Sequence, residues 1–382
     1  MRLNPRAITV LDLRDSPWVD GPGRTILDCA ETLDASRVRV VIGAFDGGGA
    51  KPTAYEQEAR ARGLDVYRIL ERRSLDPGVL RQVVELGRKV RVDAIHSHDL
   101  RSDLFGLASA RRLGVTWIST VHGWIANDWK GRLRTELDKL VLRQADHVIA
   151  VSEETRGRLG HWASPERCTV IPNALRVERY KPRRGSGEFR AEHRVADDDV
   201  LIANIGRLSP EKGQRDFLAA ARDLVERYGN LRFVLFGLGP DQDSLERLII
   251  DYRLGDRVIL AGYRDNMSVI YNEIDLVVQS SLTEGMPNVV LESLLMEVPV
   301  IATDVGGTRE VLKHGETGIL VPPGDHALLA LAIERFIGNR PDFNRMAQAG
   351  HIDIQARFDH VTRVERLASV YHKVVAARRR DH

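Results

Sequence analysis

The sequence contains few cysteines, few aromatic residues and no long apolar segment. Its two cysteines, Cys29 and Cys168, cannot form a disulfide framework and lack the spacing of metal ligands. No apolar run approaches the roughly eighteen residues of a membrane-spanning helix, and the one near the N-terminus is too short and too charged for a signal peptide. The 56 Lys and Arg residues nearly balance the 54 Asp and Glu residues, which gives little support to nucleic-acid binding. The composition therefore predicts a cytoplasmic protein in a reducing compartment.

Three short basic clusters interrupt the charge balance, at 72–73, 183–184 and 378–380. Such clusters are most often solvated surface. The alternative is contact with the anionic inner face of a membrane, because clustered Lys and Arg side chains attract anionic headgroups. Any membrane contact is therefore expected to be peripheral.

A chain of 382 residues exceeds the usual size of one hydrophobic core, which predicts two domains. Short β-branched runs alternate with longer amphipathic stretches, the pattern of parallel sheets with crossover helices. The predicted strands are 7–13, 38–44, 64–69, 93–98, 116–122, 147–152, 168–172, 200–206, 231–237, 257–262, 274–280 and 298–303. The stretch 325–380 has a helical pattern throughout.

The charged segment 176–199 is the predicted domain boundary, since it contains few large apolar residues. We expect an α/β protein with two Rossmann-like domains, 1–180 and 181–360, whose parallel sheets face each other across a cleft. A terminal helix at 361–382 is expected to pack back toward the first domain. Ligands of such sheets bind at the carboxyl ends of the strands, so the residues that follow strands are the candidates for a site.

Two glycine-rich turns follow predicted strands, at 20–25 (DGPGRT) and 237–240 (GLGP). Neither completes the Gly-x-Gly-x-x-Gly fingerprint, because Ile26 and Gln242 occupy the third glycine position, and no Walker A pattern is present. A nicotinamide dehydrogenase is therefore disfavoured. Each turn alone favours a structural role, although backbone N–H groups at such helix starts can bind a phosphate.

A pair of cations lies in the segment GRLSPEKG, at 206–213. Arg207 follows a predicted strand, and Lys212 immediately precedes a helix predicted at 213–228. Cations near a helix N-terminus oppose the helix dipole, so an anionic ligand such as a diphosphate would compensate. The alternative is an ordinary Ser-Pro-Glu helix start with incidental charges.

Two carboxylates, Glu284 and Glu292, lie eight residues apart in LTEGMPNVVLES. Pro287 suits the first turn of a helix and Asn288 its start, which predicts a helix from about 287 to about 297. Glu284 then precedes the helix and Glu292 lies in its second turn. A purely structural role at the helix N-terminus accounts for Glu284 but leaves Glu292 unexplained among apolar residues.

Three histidines lie at the ends of predicted strands. His122 is the last residue of the strand predicted at 116–122, where a structural role and a site role are equally favoured. His96 and His98 have possible metal-ligand spacing, but no third ligand is evident in the sequence, so no metal site is predicted. The acidic run 197–199 precedes a strand and is interpreted as a solvated turn.

Together these motifs resemble the family 4 retaining glycosyltransferases, which have the GT-B fold. The resemblance covers nearly the whole chain and is strongest over 200–324, where GRLSPEKG, LTEGMPNVVLES and GETGILVPPGD follow in family order. Glu284 and Glu292 match the family's Glu-x7-Glu hallmark. Each motif alone is weak, whereas the ordered set is highly specific. One departure is Gln279, where many relatives have proline, and we expect it to change the local turn and not the chemistry.

The resemblance implies a role for each candidate residue. Arg207 and Lys212 should bind the diphosphate of a nucleotide-sugar, Glu284 should contact the donor sugar, Glu292 the ribose, and His122 should lie beside the transferred sugar. Further donor contacts are implied for Gly21, Gly23 and Arg24 (phosphate loop), Gly206 and Gly237, Tyr263 and Arg264 (base), and Gly285, Met286, Pro287, Asn288 and Val289 (sugar and phosphate). The first domain should bind the acceptor.

The implied reaction is hexosyl transfer with retention, through an oxocarbenium-like state and without a cofactor or metal. The donor should be a UDP- or GDP-sugar, and the acceptor a glycan, a lipid-linked glycan or a small molecule, as in polysaccharide biosynthesis. An epimerase of the same fold, acting on a nucleotide-sugar without an acceptor, is one alternative. An inactive scaffold of the same fold is another, disfavoured because Arg207, Lys212, Glu284 and Glu292 are all present.

Overall fold

The structure is a computed structural model that describes residues 7–49, 51–73, 75–124, 129–182 and 185–380. The basic pair at 183–184 lies outside the described residues. Contacts divide the chain into two compact units. Unit 1 comprises residues up to Ala174 together with those from His360 onward, and unit 2 runs from Leu175 to Asp359.

Unit 1 contains a seven-stranded parallel sheet in the order β3-β2-β1-β4-β5-β6-β7. The strands are β1 (Ile8–Arg14), β2 (Val38–Phe45), β3 (Asp65–Ile69), β4 (Ala94–Ser97), β5 (Thr116–Val121), β6 (His147–Ala150) and β7 (Cys168–Val170). The helices are α1 (Gly21–Thr32), α2 (Ala54–Ala61), α3 (Pro77–Val90), α4 (Leu100–Leu113), α5 (Trp129–Leu142), α6 (Glu153–Leu159) and the final α15 (His360–Arg378). Every residue of β1 is buried, as expected for a central strand covered on both faces.

The last helix of the described chain completes the core of unit 1. Val364, Leu367 and Tyr371 of α15 are buried in one apolar cluster with Ile8 and Val10 of β1. Arg378, in the last turn of the same helix, also forms an ion pair with Asp146 at 3.2 Å. The residues up to Ala174 and the final helix therefore form one folded body.

Unit 2 contains a six-stranded parallel sheet in the order β10-β9-β8-β11-β12-β13. The strands are β8 (Val200–Ile205), β9 (Leu231–Phe236), β10 (Val258–Gly262), β11 (Leu276–Gln279), β12 (Val300–Thr303) and β13 (Ile319–Val321). The helices are α7 (Glu188–Glu192), α8 (Gln214–Val225), α9 (Gln242–Asp251), α10 (Met267–Ile270), α11 (Asn288–Leu295), α12 (Thr308–Val311), α13 (His326–Gly338) and α14 (Arg340–Arg357). Its core includes Phe217 of α8, Phe233 of β9, and Phe336 and Phe343 of the last two helices.

The expected α/β architecture with two parallel sheets is confirmed, and each predicted strand overlaps an observed one. The sequence did not predict β13, which has only three residues inside the motif GETGILVPPGD. The first unit ends at Ala174, ahead of the expected boundary after residue 180. Leu175 already pairs with Asp359, and the Tyr180 hydroxyl donates a hydrogen bond to Glu292, so both belong to unit 2. Within the described residues, no helix is long and apolar enough to cross a membrane.

Candidate active site

Each sheet has a point where the strand order reverses, and the candidate residues cluster at these two points. In unit 2 the reversal lies between β8 and β11, and in unit 1 between β1 and β4. Adjacent crossovers there lie on opposite faces of the sheet, which opens a crevice at the carboxyl ends of the strands. Lys212 follows β8 and Glu284 follows β11, while His98 follows β4.

Lys212 and Glu284 form an ion pair at the reversal point of unit 2. The Lys212 ammonium lies 2.6 Å from Oε1 of Glu284. The hydroxyl of Ser281 donates to the same oxygen at 2.7 Å, and the amide of Gln279 donates to it at 3.2 Å. The Glu284 side chain is only 9% exposed, so the pair is sheltered on its carboxylate side. A cation at the end of β8 is therefore held in place by a carboxylate from the end of β11.

Gln279, which was expected to change the local turn and not the chemistry, also makes side-chain hydrogen bonds at this site. Besides its bond to Glu284, its side-chain oxygen accepts hydrogen bonds from the backbone N–H of Thr303 at 3.1 Å and from the Thr303 hydroxyl at 3.2 Å. Gln279 thus links Glu284 to β12. A proline at this position could make none of these side-chain bonds.

The backbone around Lys212 is fixed by the loop that follows β11. Lys212 ends a 3-10 turn, Pro210–Lys212, and its carbonyl accepts a hydrogen bond from the Ser280 hydroxyl at 3.0 Å. The N–H of Leu282 donates to the carbonyl of Glu211 at 2.8 Å. A Cβ on Gly213 would lie 2.0 Å from the Ser280 carbonyl oxygen, so only glycine permits this approach.

Glycine is required in the 237–240 turn for a similar steric reason. A Cβ on Gly237 would lie 2.0 Å from the carbonyl oxygen of Gly206, and one on Gly239 would lie 2.1 Å from that of Leu208. The turn is therefore packed directly against the backbone that carries Arg207. Arg207 itself is exposed, and its carbonyl accepts a hydrogen bond from the Gln214 amide at 2.9 Å.

Glu292 is a buried carboxylate held by two tyrosines. Its Oε1 accepts a hydrogen bond from the Tyr180 hydroxyl at 3.1 Å, and its Oε2 accepts one from the Tyr271 hydroxyl at 2.9 Å. Burial, and then the charge of Glu292, raises the pKa of Tyr271 well above its usual value. The Tyr271 phenol therefore remains a donor, and the two tyrosines fix the carboxylate while taking part of its capacity to accept hydrogen bonds.

The helix that carries Glu292 starts one residue later than expected and is shorter. Pro287 is the N-cap residue and not the first helical residue, and α11 ends at Leu295. The preceding Gly285 and Met286 are buried, whereas Asn288 and Val289 are half-buried. The carbonyl of Val289 accepts the Ser293 hydroxyl at 2.6 Å. The helix is apolar on most sides because it is packed inside unit 2.

Two other expected donor contacts lie after β10. Tyr263 is 56% exposed, and Arg264 is half-buried. The Arg264 guanidinium donates to Glu192 at 2.6 Å and to the carbonyl of Ala261 at 3.2 Å. Arg264 therefore connects α7 to the end of β10.

Residues 21–24 of unit 1, for which phosphate contacts were predicted, form the first turn of α1. The helix begins at Gly21, and Asp20 caps it by accepting a hydrogen bond from the N–H of Gly23 at 2.8 Å. Arg14 donates to the same carboxylate at 2.8 Å. Pro22 occupies an early helical position that suits its fixed φ angle, so the helix begins within the predicted turn. An acid, Asp20, already complements this helix end.

Three histidines of unit 1, His96, His98 and His122, form a connected cluster with Asp12 of β1. Nε2 of His98 lies 3.0 Å from Oδ2 of Asp12, and Nδ1 of His98 lies 3.1 Å from Nε2 of His122. His96 is bonded to the Tyr371 hydroxyl and to the Thr120 hydroxyl, each at 2.7 Å. The sequence could not link Asp12 to the histidines, because β1 and β4 are paired in the sheet but are distant in the chain.

Asp12 also supplies the third metal-ligand candidate that the sequence did not reveal. One ligand atom each from Asp12, His96 and His98 lies within 4.8 Å of the others. Both ring nitrogens of His96 and of His98 are, however, already at hydrogen-bonding distance from protein atoms. His96 and His98 therefore have both ring nitrogens satisfied by hydrogen bonds within the protein.

The network defines the proton positions on His122 when His98 is neutral. The Asp12 carboxylate only accepts, so Nε2 of His98 carries the proton and its Nδ1 accepts. His122 then donates from Nε2, which leaves its Nδ1 as an acceptor. Among the described residues, this buried Nδ1 has no hydrogen-bond partner. His122 thus presents an acceptor nitrogen at the carboxyl end of β5.

Burial controls the charge in this cluster. It lowers the pKa of His122 well below the usual value, and it lowers that of His96 to about 3 with a further contribution from His98. Burial alone would raise the pKa of Asp12, but His98, His96 and Arg14 together outweigh it and the pKa is lowered. Asp12 is therefore an anion and His96 and His122 are neutral at neutral pH.

Two family models match the chain. The model described as glycosyltransferase family 4 matches residues 19–179, and the model described as glycosyl transferases group 1 matches residues 186–352. Between them the two matches cover most of the chain and fall on the two units in turn.

Named relatives are glycosyltransferases. The chain is 28% identical to the putative glycosyltransferase EpsD of Bacillus subtilis, over 79% of this chain and 83% of EpsD. It is 25% identical to the Escherichia coli UDP-Gal:alpha-D-GlcNAc-diphosphoundecaprenol alpha-1,3-galactosyltransferase, over 75% of this chain and 77% of that enzyme.

Solved structures show the same fold. Anabaena HepE in complex with UDP-glucose superposes with a TM-score of 0.86 at 22% identity, over 96% of this chain and 100% of that one. Sucrose-phosphate synthase from Thermosynechococcus elongatus gives a TM-score of 0.82, also at 22% identity, over 97% of this chain and 100% of that one. With both family models matched and the GT-B fold shared, this chain is a member of glycosyltransferase family 4, an enzyme family that uses nucleotide-sugars.

Proposed function

We propose that this enzyme transfers a hexosyl group, with retention of configuration, from a nucleoside diphosphate sugar to a glycan or lipid-linked glycan, without a metal ion. The observation that carries the proposal is the ion pair between Lys212 and Glu284 at the reversal point of unit 2, at 2.6 Å. A diphosphate that enters there meets a cation whose position is already fixed. Unit 1 is assigned to acceptor binding.

The assigned roles follow from charge and from position. Lys212 and the exposed Arg207 stabilise the negative charge that grows on the leaving diphosphate. Preorganised stabilisation of this kind is usually the largest catalytic contribution. Removing one hydrogen-bond donor that contacts the transition state raises the activation free energy by roughly 2.7–4 kcal/mol. Glu284 orients Lys212 and accepts hydrogen bonds from the donor sugar. Glu292, held by its tyrosines, accepts hydrogen bonds from the ribose.

The reaction needs no protein nucleophile in this proposal. The bond between the anomeric carbon and the diphosphate oxygen breaks while the acceptor oxygen bonds to the same face of the sugar. The acceptor's proton passes to an oxygen of the leaving diphosphate. His122, with its acceptor Nδ1, receives a hydrogen bond from a hydroxyl of the transferred sugar.

A UDP-sugar is the first donor to test. The E. coli relative is named for a UDP-galactose donor and a diphosphoundecaprenol-linked acceptor, and the HepE structure contains UDP-glucose. By analogy, we assign this chain to the assembly of a surface polysaccharide or lipid-linked glycan on the cytoplasmic side of the membrane.

The deciding experiment measures nucleoside diphosphate release from a panel of UDP-, GDP- and ADP-sugars. We expect release with one sugar and a loss of roughly 10²–10³-fold in Lys212→Ala, the range for a lost transition-state donor. Lys313→Ala is the matched control, because Lys313 also pairs with a carboxylate, Asp353 at 2.8 Å, but lies near the surface. Equal activity in both variants, or no binding of any donor, would refute the site.

Two further readouts test the finer claims. The anomeric configuration of the product, read from its proton coupling constants, should match that of the donor, and a covalent adduct on Glu284 would refute front-face transfer. Activity should persist after dialysis against EDTA. Loss of activity that manganese restores would refute metal independence and direct attention to Asp12, His96 and His98.

A further inference from the structure

Helix α5 of unit 1 exposes a continuous apolar stripe. Trp129, Leu133, Leu137 and Leu140 are 70%, 63%, 44% and 48% exposed. Their spacing of four, four and three residues places all of them on one side of the helix, since residues three and four apart are neighbours on its surface. Isolated exposed apolar residues are common, but four on one stripe of a 14-residue helix form an uncovered apolar surface.

The opposite side of α5 is anchored in unit 1. Thr135, Asp138, Val141 and Leu142 are buried, and the last two belong to the apolar core of the unit. The carboxylate of Asp138 accepts a hydrogen bond from the indole N–H of Trp124 at 2.6 Å. The helix cannot rotate to bury its stripe without losing these contacts. The stripe therefore faces solvent as part of the folded structure.

Basic residues border the stripe on both sides. At 100° per residue, Lys130 and Arg134 lie along one edge, and Arg132 and Arg143 along the other. Arg132, Arg134 and Arg143 are exposed, and the ammonium of Lys130 lies 5.6 Å from the centre of the Trp129 ring. The acid at the border, Glu136, is paired with Lys139 at 3.0 Å. The surface is therefore an apolar centre with a cationic rim.

We propose that α5 docks on the surface of a bilayer that contains anionic phospholipids. In this arrangement the helix lies parallel to the membrane, with Trp129 and the three leucines below the headgroups and the cations among the phosphates. An amphipathic helix with aromatic and leucine residues on one face and Lys and Arg on the other binds membranes in this way. The docking goes beyond the transfer reaction proposed above and does not depend on it.

The charges favour a bilayer over a second copy of the chain. Two copies that met through this stripe would bring both sets of cations together, and like charges at close range repel. An anionic surface instead attracts each cation, and each Lys or Arg near the headgroups strengthens binding by about fivefold. The same chemistry predicts that binding weakens as salt screens the charges.

Another pair of exposed leucines provides a matched comparison. Leu328 and Leu331 on α13 are 40% and 58% exposed. They lie at an open surface depression beside the acids Asp223, Asp325 and Glu334, of which Glu334 pairs with Arg227 at 2.6 Å. An acidic rim disfavours anionic lipid, so this pair should not contribute to membrane binding.

The test is co-sedimentation of the full chain with vesicles of phosphatidylcholine alone or of phosphatidylcholine and phosphatidylglycerol in equal parts. We expect binding only to the anionic vesicles. The double variant Leu133→Gln/Leu137→Gln should reduce it by roughly tenfold or more, because two partly buried leucines are lost. Arg132→Gln/Arg134→Gln should reduce it by about fivefold for each charge. Leu328→Gln/Leu331→Gln should bind like the unsubstituted chain.

Several outcomes would overturn the proposal. These are no binding to anionic vesicles, equal binding to both vesicle types, and equal losses in the α5 and α13 double variants. Sedimentation velocity without vesicles tests whether a second copy of the chain covers the stripe instead of a bilayer. A dimer that Leu133→Gln/Leu137→Gln abolishes would assign the stripe to a second copy of the chain. Donor-dependent diphosphate release in solution should be unchanged in every variant, which separates a failure of docking from a failure of the proposed reaction.

Discussion

Gly306 packs its α-carbon against the main chain of Glu284. A Cβ on Gly306 would lie 1.8 Å from the Glu284 carbonyl oxygen, and its φ of +53° is in the left-handed region. The next residue, Gly307, donates its N–H to the carbonyl of Gly285 at 2.9 Å. The backbone of the loop after β12 thus packs against the backbone of the loop after β11 and fixes its position. The position of the carboxylate that holds Lys212 depends on a residue with no side chain.

We therefore predict that Gly306→Ala abolishes donor binding by displacing Glu284. The methyl group cannot be accommodated, because the atom it meets is backbone and not the end of a flexible side chain. The measurement is the dissociation constant of the preferred nucleotide-sugar, by calorimetry. Gly315→Ala is the matched control, since Gly315 has a φ of +77° but a Cβ added there would meet nothing within 4 Å. Both variants should lose stability through the backbone conformation, by about 1–2 kcal/mol, and only Gly306→Ala should lose donor affinity.

A second prediction concerns the tyrosines around Glu292. Tyr271→Phe should lower the free energy of unfolding by about 1.5–3 kcal/mol, because the hydroxyl donates to a buried carboxylate. Tyr228→Phe is the control, since that hydroxyl also donates to a carboxylate, Glu334 at 2.7 Å, but near the surface. Urea unfolding should show a smaller loss in Tyr228→Phe. Equal losses would mean that burial does not strengthen the hydrogen bond from Tyr271 to Glu292.

A third prediction concerns the protonation of His122. In the unsubstituted protein at neutral pH, nitrogen-15 spectra should show His122 protonated on Nε2 and not on Nδ1. Asp12→Asn should give a mixture of the two forms, because an amide can either donate to His98 or accept from it. The fold should be retained, since Asn and Asp have the same shape. A proton on Nδ1 of His122 in the unsubstituted protein would contradict the hydrogen-bond assignment, whatever the variant does.

A fourth prediction concerns acid stability. The folded pKa of His96 is about 3, below the unfolded value near 6.5, so the unfolded chain binds its proton first as the pH falls. The stability that neutral His96 contributes is complete above about pH 6.5 and is lost toward pH 3, by about 1.4 kcal/mol per pH unit. The difference in unfolding free energy between the unsubstituted chain and His96→Asn should shrink at that rate.

His147 supplies the comparison for this measurement. Burial, together with Lys373, lowers its pKa to about 4, so the corresponding difference for His147→Asn should stop shrinking at a higher pH. Asp138 acts in the opposite direction, because burial raises its pKa to about 6. Asp138 is present in the unsubstituted chain and in both variants, so its contribution cancels when their unfolding free energies are subtracted. A pH-independent difference for His96→Asn would show that His96 does not become charged on acid unfolding.

The sequence predicted the two parallel sheets because buried parallel strands are short β-branched runs that helical patterns separate. It also identified Lys212 and Glu284, which follow strands, and the structure brings them within 2.6 Å. The strand β13 was missed because three residues are too few to show the hydrophobic pattern of a strand. The turn at Gly21–Arg24 was expected to be a loop, but Asp20 caps a helix there.

What the sequence could not predict is the set of partners that hold these residues. Tyr271 lies 21 residues from Glu292 and Tyr180 lies 112 residues away, and no local pattern marks either as a partner. Asp12 joins the histidines only because β1 pairs with β4. Gly306 has no side chain that a sequence pattern could identify as functional. Its role follows only from its distance to the Glu284 backbone. Contacts between strands far apart in the chain require the fold itself.

The discontinuity of unit 1 has a consequence for the order of folding during synthesis. Unit 2 is one uninterrupted segment, whereas unit 1 needs α15, the last helix of the described chain, to cover Ile8, Val10 and Ile118. Domains that are continuous in the chain usually fold in the order in which they leave the ribosome. Here we expect the second unit to fold first, while one apolar face of the first unit remains uncovered. Ribosome-stalled chains that end at Asp359, followed by an unstructured linker long enough to span the exit tunnel, should resist proteolysis in residues 175–359 and be cleaved in the earlier residues. Protection of both regions would contradict this order.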